Sequence, residues 1–268
     1  DISMQYYTFE LDDESSRLCV IVTPFGMFRR TRLPMGLKPS ADWAQATMNE
    51  IFNDMLEELE VYFDDILTSH MTWPEHLESI REVLRRLEIN GFTVNPTKCH
   101  WGVPSAEWMG YLLQQTGYKP SPKKIEAILK LAEPSTPKQL RGFLGFVNYN
   151  RQFYKRRAHI FAPLSAITGK SKRNCAANWG PLQKAAFQKA KQVIALDVLL
   201  AYPDLSKAFD VEVDASDYQV GGVIKQDGII LACFSRKLMP AQRNYTRIEK
   251  ELLLVFETLQ QFRSLLQG

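Results

Sequence analysis

Apolar and polar positions along the chain alternate between two periods, and the changes of period divide it. A strand-like opening runs from Asp1 through Tyr6, Tyr7, Phe9 and Leu11, a polar turn follows from Asp12 to Arg17, and Val20-Ile21-Val22 reads as a second strand. Pro34 and Gly36 forbid a regular element across Leu33-Pro34-Met35-Gly36-Leu37, which is therefore a shaped loop. Helical spacing takes over at Ala44, Met48, Ile51, Phe52, Met55 and Leu59, with Ser40 as the cap. That helix leads to Val61-Tyr62-Phe63-Asp64-Asp65-Ile66-Leu67, where apolar and aromatic residues flank two acids, the pattern of a tight hairpin with Asp64 and Asp65 at its turn. Two acids on a rigid tip suit a cation; the plainer reading is a polar turn between strands.

Thr72-Trp73-Pro74-Glu75 has the form of a capping box, opening a helix with Leu77, Ile80, Leu84 and Leu87 on its apolar face and Asn90-Gly91 at its end. Phe92-Thr93-Val94 is a short strand, and Trp108-Met109-Gly110-Tyr111-Leu112 lies in a small β element. Ser121-Pro122 starts a helix that Pro134 terminates, and Thr136-Pro137-Lys138-Gln139 starts another carrying Leu140, Phe143, Leu144 and Val147. Gly142 and Gly145 inside that second helix should each cost roughly 1 kcal/mol relative to Ala, which suggests close packing or a ligand backbone at that face. Residues Ser171 to Trp179 look like a linker, and a helix with Leu182, Ala186, Ala190, Val193 and Ile194 follows. Phe209, Val211 and Val213 then alternate along a strand ending at Asp214, and a hairpin turns at Asp227-Gly228 with the chemistry of a type I′ turn. A last capping box, Thr246 to Glu249, opens a helix with Ile248, Leu252, Val255, Leu259 and Phe262 inward.

At 268 residues the chain is long enough for two or three packed units, and it holds no apolar run of the length, about 18 residues, that spans a bilayer. Its first residues have no initiating Met and no basic leader, so no signal peptide is expected and the sequence reads as part of something longer. Cys19, Cys99, Cys175 and Cys233 are far apart, which argues against a disulfide framework or a zinc site and fits a reducing compartment. The net charge of +3 hides an asymmetry: Lys119 to Arg173 holds 13 Lys and Arg against two acids, and the remainder 20 against 28. A basic segment beside an acidic one suggests a polyanion gripped in one place and worked on through metal ions in another; the alternative is a solvated basic surface. Within that segment Tyr149, Phe153 and Tyr154 interleave with Arg151, Lys155, Arg156 and Arg157, a mixture that can stack on bases and neutralise phosphates, unless the aromatics are core.

Taken in order, the opening at Asp1, the loop Leu33 to Lys38, the hairpin Tyr62-Phe63-Asp64-Asp65, the segment Gly91 to Lys98 and Trp108-Met109-Gly110-Tyr111 resemble successive motifs of a reverse transcriptase, of the kind in Ty3/Gypsy-type LTR retrotransposon polyproteins. The resemblance covers nearly the whole chain. It implies an α+β fold: a polymerase palm over 1–113 without its upstream fingers, a basic helical thumb over 114–170, a connection over 171–205, and over 206–268 the start of an RNase H-like α/β domain. It implies RNA-directed DNA polymerisation by two Mg²⁺ ions, or Mn²⁺ in their place, with Asp1 and Asp64 as principal ligands and Asp65 as the third acid. Asp12 and Asp13 remain a solvated turn.

The same resemblance makes Tyr6 the aromatic gate against a ribose 2′-hydroxyl, sets Met35, Gly36, Gln45 and Lys98 near the incoming nucleotide, and makes Trp108, Met109 and Gly110 the primer grip, with Arg151, Lys155, Arg156 and Arg157 on the template-primer. The lesser alternative is that Tyr6 and Trp108 are ordinary core aromatics. In the RNase H-like part it points to Asp214 and Glu251 as catalytic metal ligands; Glu249 competes with Glu251 but has a capping job. Two further acids would lie after Gly268, so an incomplete hydrolytic site is expected. Implied partners are an RNA or DNA template with primer, deoxynucleoside triphosphates and the rest of a Pol polyprotein, with its protease and integrase. No membrane partner is expected. The implied location is the cytoplasm or virus-like particles within it. Phe63 stands where such elements usually carry a smaller aliphatic residue, and it could crowd a primer end. A second reading is a decayed or co-opted remnant that binds nucleic acid without catalysis.

Overall fold

The computed structural model describes residues 1–168, 179–216 and 219–267, and the chain divides into two compact units, Asp1–Gly102 and Val103–Gly268. Cys175 and all of the expected linker except Trp179 lie outside the described residues.

In the first unit, strand β1 spans only Ile2–Ser3, because Met4 takes a left-handed conformation (φ 51°) and Gln5–Thr8 coil into a 3-10 turn. Tyr6 and Tyr7 are therefore on that turn, not on the long strand expected. The expected polar turn is helix α1 (Asp13–Leu18): the Asp12 side chain accepts from the Ser15 N–H at 2.6 Å and satisfies an otherwise orphaned donor. Strands β2 (Val20–Thr23) and β3 (Gly26–Arg29) form an antiparallel hairpin. Helix α2 (Lys38–Ile51) begins two residues before Ser40, with Pro39 in its first turn; Ser40 is buried and its hydroxyl donates to the Pro34 carbonyl at 3.0 Å. The apolar spacing outruns the helix, since Met55 falls on a 3-10 turn and Leu59 opens strand β4.

Strand β4 (Leu59–Tyr62) pairs with β5 (Asp65–Thr68) so that Tyr62 faces Asp65. The turn residues are thus Phe63 and Asp64, one position earlier than expected. Helix α3 (Trp73–Ile89) starts with the predicted box, the Thr72 N–H donating to Glu75 at 3.2 Å. Its buried residues are Ser79, Val83 and Leu87, whereas Leu77 and Leu84 are exposed; on the buried side Ser79 Oγ and Thr68 Oγ1 are hydrogen-bonded (2.9 Å). Strand β6 (Thr93–Val94) pairs antiparallel with β1. Ile2, Met48, Phe52, Leu59, Val83, Leu87 and Phe92 close the core between them, the main favourable term in holding so short a pair of strands.

The second unit opens with a three-stranded antiparallel sheet, β7 (Ser105–Trp108), β8 (Tyr111–Gln114) and β9 (Gly117–Pro120). Helix α4 (Pro122–Leu129) stops before Pro134, and α5 (Pro137–Tyr149) begins at the predicted box, the Gln139 N–H donating to Thr136 Oγ1 at 3.2 Å. Helices α6 (Arg157–Ser165) and α7 (Pro181–Ile194) complete a core of Leu140, Phe143, Val147, Phe153, Tyr154, Leu164, Phe187 and Leu200. Phe153 and Tyr154 are core, as the alternative reading held, while Tyr149 is half exposed. Phe187 takes the inward place expected of Leu182, which is exposed.

Strands β10 (Asp210–Ala215), β11 (Gln219–Gln226) and β12 (Ile229–Lys237) pair antiparallel in that order, and both turn residues, Asp227 and Gly228, have positive φ as a type I′ turn requires. Helix α8 (Arg247–Gln261) is followed by α9 (Arg263–Gln267). The buried residues of α8 are Lys250, Leu254 and Thr258; Ile248 and Leu252, expected inward, are 70% and 65% exposed. Thr258 packs where Gly222 of β11 has no side chain, since a Cβ there would stand 2.6 Å from its hydroxyl.

Candidate active site

Asp1 immediately precedes β1, its carbonyl accepting from the Asn95 N–H (3.1 Å) on the segment after β6. The next residue reaches the acidic hairpin: the Ile2 N–H donates to the Asp64 carbonyl at 2.7 Å. Two acids separated by 63 positions in sequence are thereby set on neighbouring backbone. The Asp1 carboxylate is mostly shielded (18% exposed) and pairs with Lys98 Nζ at 3.1 Å. Asp65 opens β5 and is exposed. Among the described residues, no three His, Cys, Asp or Glu side chains stand together closely enough to hold an ion by themselves.

The hairpin turn is clamped on both sides. Phe63 is left-handed (φ 52°), a conformation unusual for a bulky residue. Its N–H donates to Gln45 Oε1 at 2.8 Å, and its carbonyl accepts from Gln5 Nε2 at 3.1 Å. Gln45 also donates to the Val61 carbonyl (3.1 Å) and to Asn49 (2.8 Å), so its amide is spent on the hairpin and its own helix. The Phe63 ring lies against Tyr62 with centroids 4.5 Å apart. Tyr6 is half-buried on the 3-10 turn, and Met35 is exposed beside Gly36 (φ 92°) in the loop that Ser40 ties down. Asp12 is held below the usual carboxylate range by the Ser15 N–H and is occupied as a cap.

In the second unit, Trp108 faces Tyr111 across the β7–β8 turn, and Met109 (φ 46°) and Gly110 (φ 87°) are its central residues. Three groups hold this turn: the Ser121 N–H donates to the Gly110 carbonyl (2.9 Å), the Tyr149 hydroxyl donates to the Met109 carbonyl, and the Tyr149 ring stacks on Tyr111 at 5.3 Å. Burial pushes the Tyr111 hydroxyl well above the ordinary phenol range.

The basic residues after α5 divide into two sets. Arg151 and Lys155 are exposed. Arg157 is turned inward, donating to Asn148 Oδ1 and to the Ser235 carbonyl (3.1 Å), and burial lowers its pKa. Arg156 pairs with Asp214 at 3.0 Å. Glu251 pairs with Arg247 (3.1 Å), and Glu249 closes the capping box on the Thr246 N–H (2.7 Å), which holds it below the usual carboxylate range. Gly142 and Gly145 have open space where a Cβ would point, so no packing within the described residues requires them.

Sequence reasoning passed over Gln5, and it read Tyr149 only as part of an aromatic-basic mixture. Neither could be singled out before the left-handed turns they hold were known.

Residues 1–146 match the family model described as reverse transcriptase (RNA-dependent DNA polymerase), and residues 179–268 match that of the RNase H-like domain found in reverse transcriptase. The retrovirus-related Pol polyprotein from transposon 297 of Drosophila melanogaster is 32% identical over 269 residues, covering all of this chain and 25% of that protein. The transposon Tf2-3 polyprotein of Schizosaccharomyces pombe is 29% identical over 274 residues, again covering all of this chain and 20% of that protein. The chain thus spans a quarter or less of these relatives. Among solved structures, a foamy viral protease-reverse transcriptase in complex with an RNA/DNA hybrid superposes with a TM-score of 0.85, at 22% identity, over 100% of this chain and 37% of that one. The same enzyme's dRH form in complex with double-stranded DNA gives 0.90, at 22% identity, over 100% of this chain and 47% of that one. These likenesses establish the mixed helix-and-strand fold.

Proposed function

Since the chain belongs to the reverse transcriptase family, we propose that it is the catalytic region of an RNA-directed DNA polymerase from a Ty3/Gypsy-type retrotransposon Pol polyprotein. The observation that carries this is the Ile2–Asp64 backbone bond, which joins the segment that begins at Asp1 to the turn bearing Asp64.

Two carboxylates with hard oxygen donors fit Mg²⁺, which is commonly bound by one or two protein acids plus substrate phosphates and water. Asp1 and Asp64 would hold it, with Asp65 as the third acid. When bound, paired divalent ions supply charge stabilisation at the attacking and leaving oxygens of an in-line displacement. The protein's own part is placement. Lys98 neutralises Asp1 at rest and is a natural partner for a triphosphate; Met35 and Gly36 shape the nucleotide side; Tyr6 excludes a ribose 2′-hydroxyl. Gln45 contributes through the hairpin it holds. Trp108, Met109 and Gly110 would grip the primer. Exposed Arg151 and Lys155 would neutralise backbone phosphates. Nucleic-acid partners are supported by the solved relatives, which hold an RNA/DNA hybrid and double-stranded DNA. The relatives' names support a Pol polyprotein setting. Among the described residues no helix is long and apolar enough to cross a membrane.

The RNase H-like residues are arranged differently. Asp214 is paired with Arg156 and Glu251 with Arg247, and no set of three acids converges among the described residues. Both acids are thus engaged by guanidinium groups. We propose that this chain cleaves RNA poorly; robust cleavage of the RNA strand of a hybrid would refute it.

The test of the main reading is primer extension on an RNA template by this chain and by a longer protein containing it. Mg²⁺-dependent incorporation that disappears in Asp64→Asn is expected. Equal extension by wild type and Asp64→Asn would overturn the assignment, and binding of template-primer with no extension by either protein would favour the remnant.

A further inference from the structure

We propose that Gln5 is a positioning residue for this reaction: with Gln45 it holds Phe63 in the left-handed conformation that presents Asp64. The inference rests on the polymerase reading above.

Four observations carry it. Both polar backbone groups of Phe63 are taken by side-chain amides from separate elements, Gln45 of α2 on the N–H and Gln5 of the 3-10 turn on the carbonyl. Phe63 is a bulky residue at φ 52°, which persists only where the surroundings over-determine it. Met4, immediately before Gln5, is left-handed as well (φ 51°), so the chain adopts a second uncommon conformation next to the residue that makes the contact. Gln5 itself is 1% exposed, and its Oε1 has no hydrogen-bond partner among the described residues. A buried, half-satisfied amide destabilises a fold relative to an apolar side chain of the same shape. Its retention there is explained by what its Nε2 does for the turn, the kind of trade in which stability is given up at a functional site.

The same segment thus contacts the acidic turn twice. The Ile2 N–H donates to the Asp64 carbonyl and Gln5 Nε2 to the Phe63 carbonyl, so two successive carbonyls of the turn are fixed from the segment that begins at Asp1. Loss of the Gln5 contact leaves Phe63 free to leave the left-handed region, which rotates the peptide joining it to Asp64. The carboxylate then loses its set position while the hairpin strands stay paired.

The decisive variant is Gln5→Met, which keeps length and volume and removes the donor. Expected are a kcat for extension lower by roughly 10- to 100-fold, the scale of small misplacements at a reacting centre, little change in KM for the nucleotide, and a melting temperature equal to or above that of wild type. Amide hydrogen exchange at Ile2, Phe63 and Asp64 should quicken. Adding Phe63→Gly, which occupies the left-handed region without strain, should recover much of the lost kcat. The proposal is overturned if Gln5→Met leaves kcat and the exchange rates unchanged. It is also overturned if the variant merely loses folded protein and Phe63→Gly does not rescue it, since Gln5 would then be a packing residue. Failure of wild type to extend any primer would instead strike the polymerase reading, and the exchange rates would still decide the role of Gln5.

Discussion

Ile2 and Asp64 share one short backbone hydrogen bond, 2.7 Å from nitrogen to carbonyl oxygen, and through it the backbone beside the first acid of the chain is tied to the acid of the hairpin turn. Groups that hold the same ions act as a unit, so their removal is not additive. Asp1→Asn and Asp64→Asn should each lower kcat by about 100-fold or more, the scale seen when a preorganised charge-stabilising group is lost. The double variant should be scarcely worse than either. Multiplicative losses, measured by single-turnover extension, would show that the two acids work separately.

Tyr149 fastens α5 to the turn of Met109 and Gly110 through its hydroxyl, while its ring stacks on Tyr111. Tyr149→Phe keeps the stack and deletes the bond. It should cost about 1 kcal/mol of stability and speed the dissociation of template-primer, measured by competition with unlabelled duplex. An unchanged dissociation rate would separate this turn from primer binding.

Arg86 joins α3 to the end of α2, donating to the Ile51 carbonyl at 2.9 Å and pairing with Asp54 and Glu82. Asp54 is held down to about 2 by Arg86, and Glu82 to about 2 by Arg85 and then Arg86. Because these folded-state values lie below the ordinary carboxylate range, the pairs stabilise the fold above about pH 4 and lose that effect as the pH falls toward 2. Arg86→Met should therefore raise the midpoint of acid unfolding, followed by circular dichroism. The same midpoint in both proteins would refute the linkage.

Gly117 has φ 154°, and a Cβ there would stand 2.2 Å from the Leu200 carbonyl oxygen, a backbone atom with nowhere to go. That close approach permits the paired bonds between Tyr118 and Leu200, at 2.8 and 3.0 Å. Gly117→Ala should destabilise the second unit by more than about 2 kcal/mol, from strained backbone and overpacking together. A denaturation midpoint within error of wild type would contradict this.

Much of the fold was legible because its signals are local. The capping boxes at Thr72, Thr136 and Thr246 and the Asp227-Gly228 turn each depend on residues within four positions, and each stands where the spacing put it. Helix faces were less legible. The run Leu252-Leu253-Leu254-Val255-Phe256 is apolar all round, and which side packs is decided by the gap at Gly222, far away in sequence. The site divides in the same way. Asp1 and Asp64 could be chosen by motif order, but the turn was misplaced by one residue. A two-residue turn with Phe at its first position looks unfavourable until Gln5 and Gln45 are seen holding it. The function of Phe63 is thereby partly explained: its backbone is specified by others, and its ring rests on Tyr62.

The strap from Leu200 to Lys207 is sewn to the sheet that follows it. The Ala201 N–H donates to the Ile230 carbonyl (3.2 Å), the Asp204 N–H donates to the buried Gln226 side chain (2.9 Å), and Gln226 Nε2 donates to the Asp204 and Lys207 carbonyls (2.8 and 3.2 Å). A protease needs a stretch of chain that can peel away from its surroundings, and this one is pinned at both edges. Cleavage between the helices and the β10–β12 sheet should therefore await opening of the whole second unit, so that its helical and sheet halves melt in one transition and resist being expressed apart.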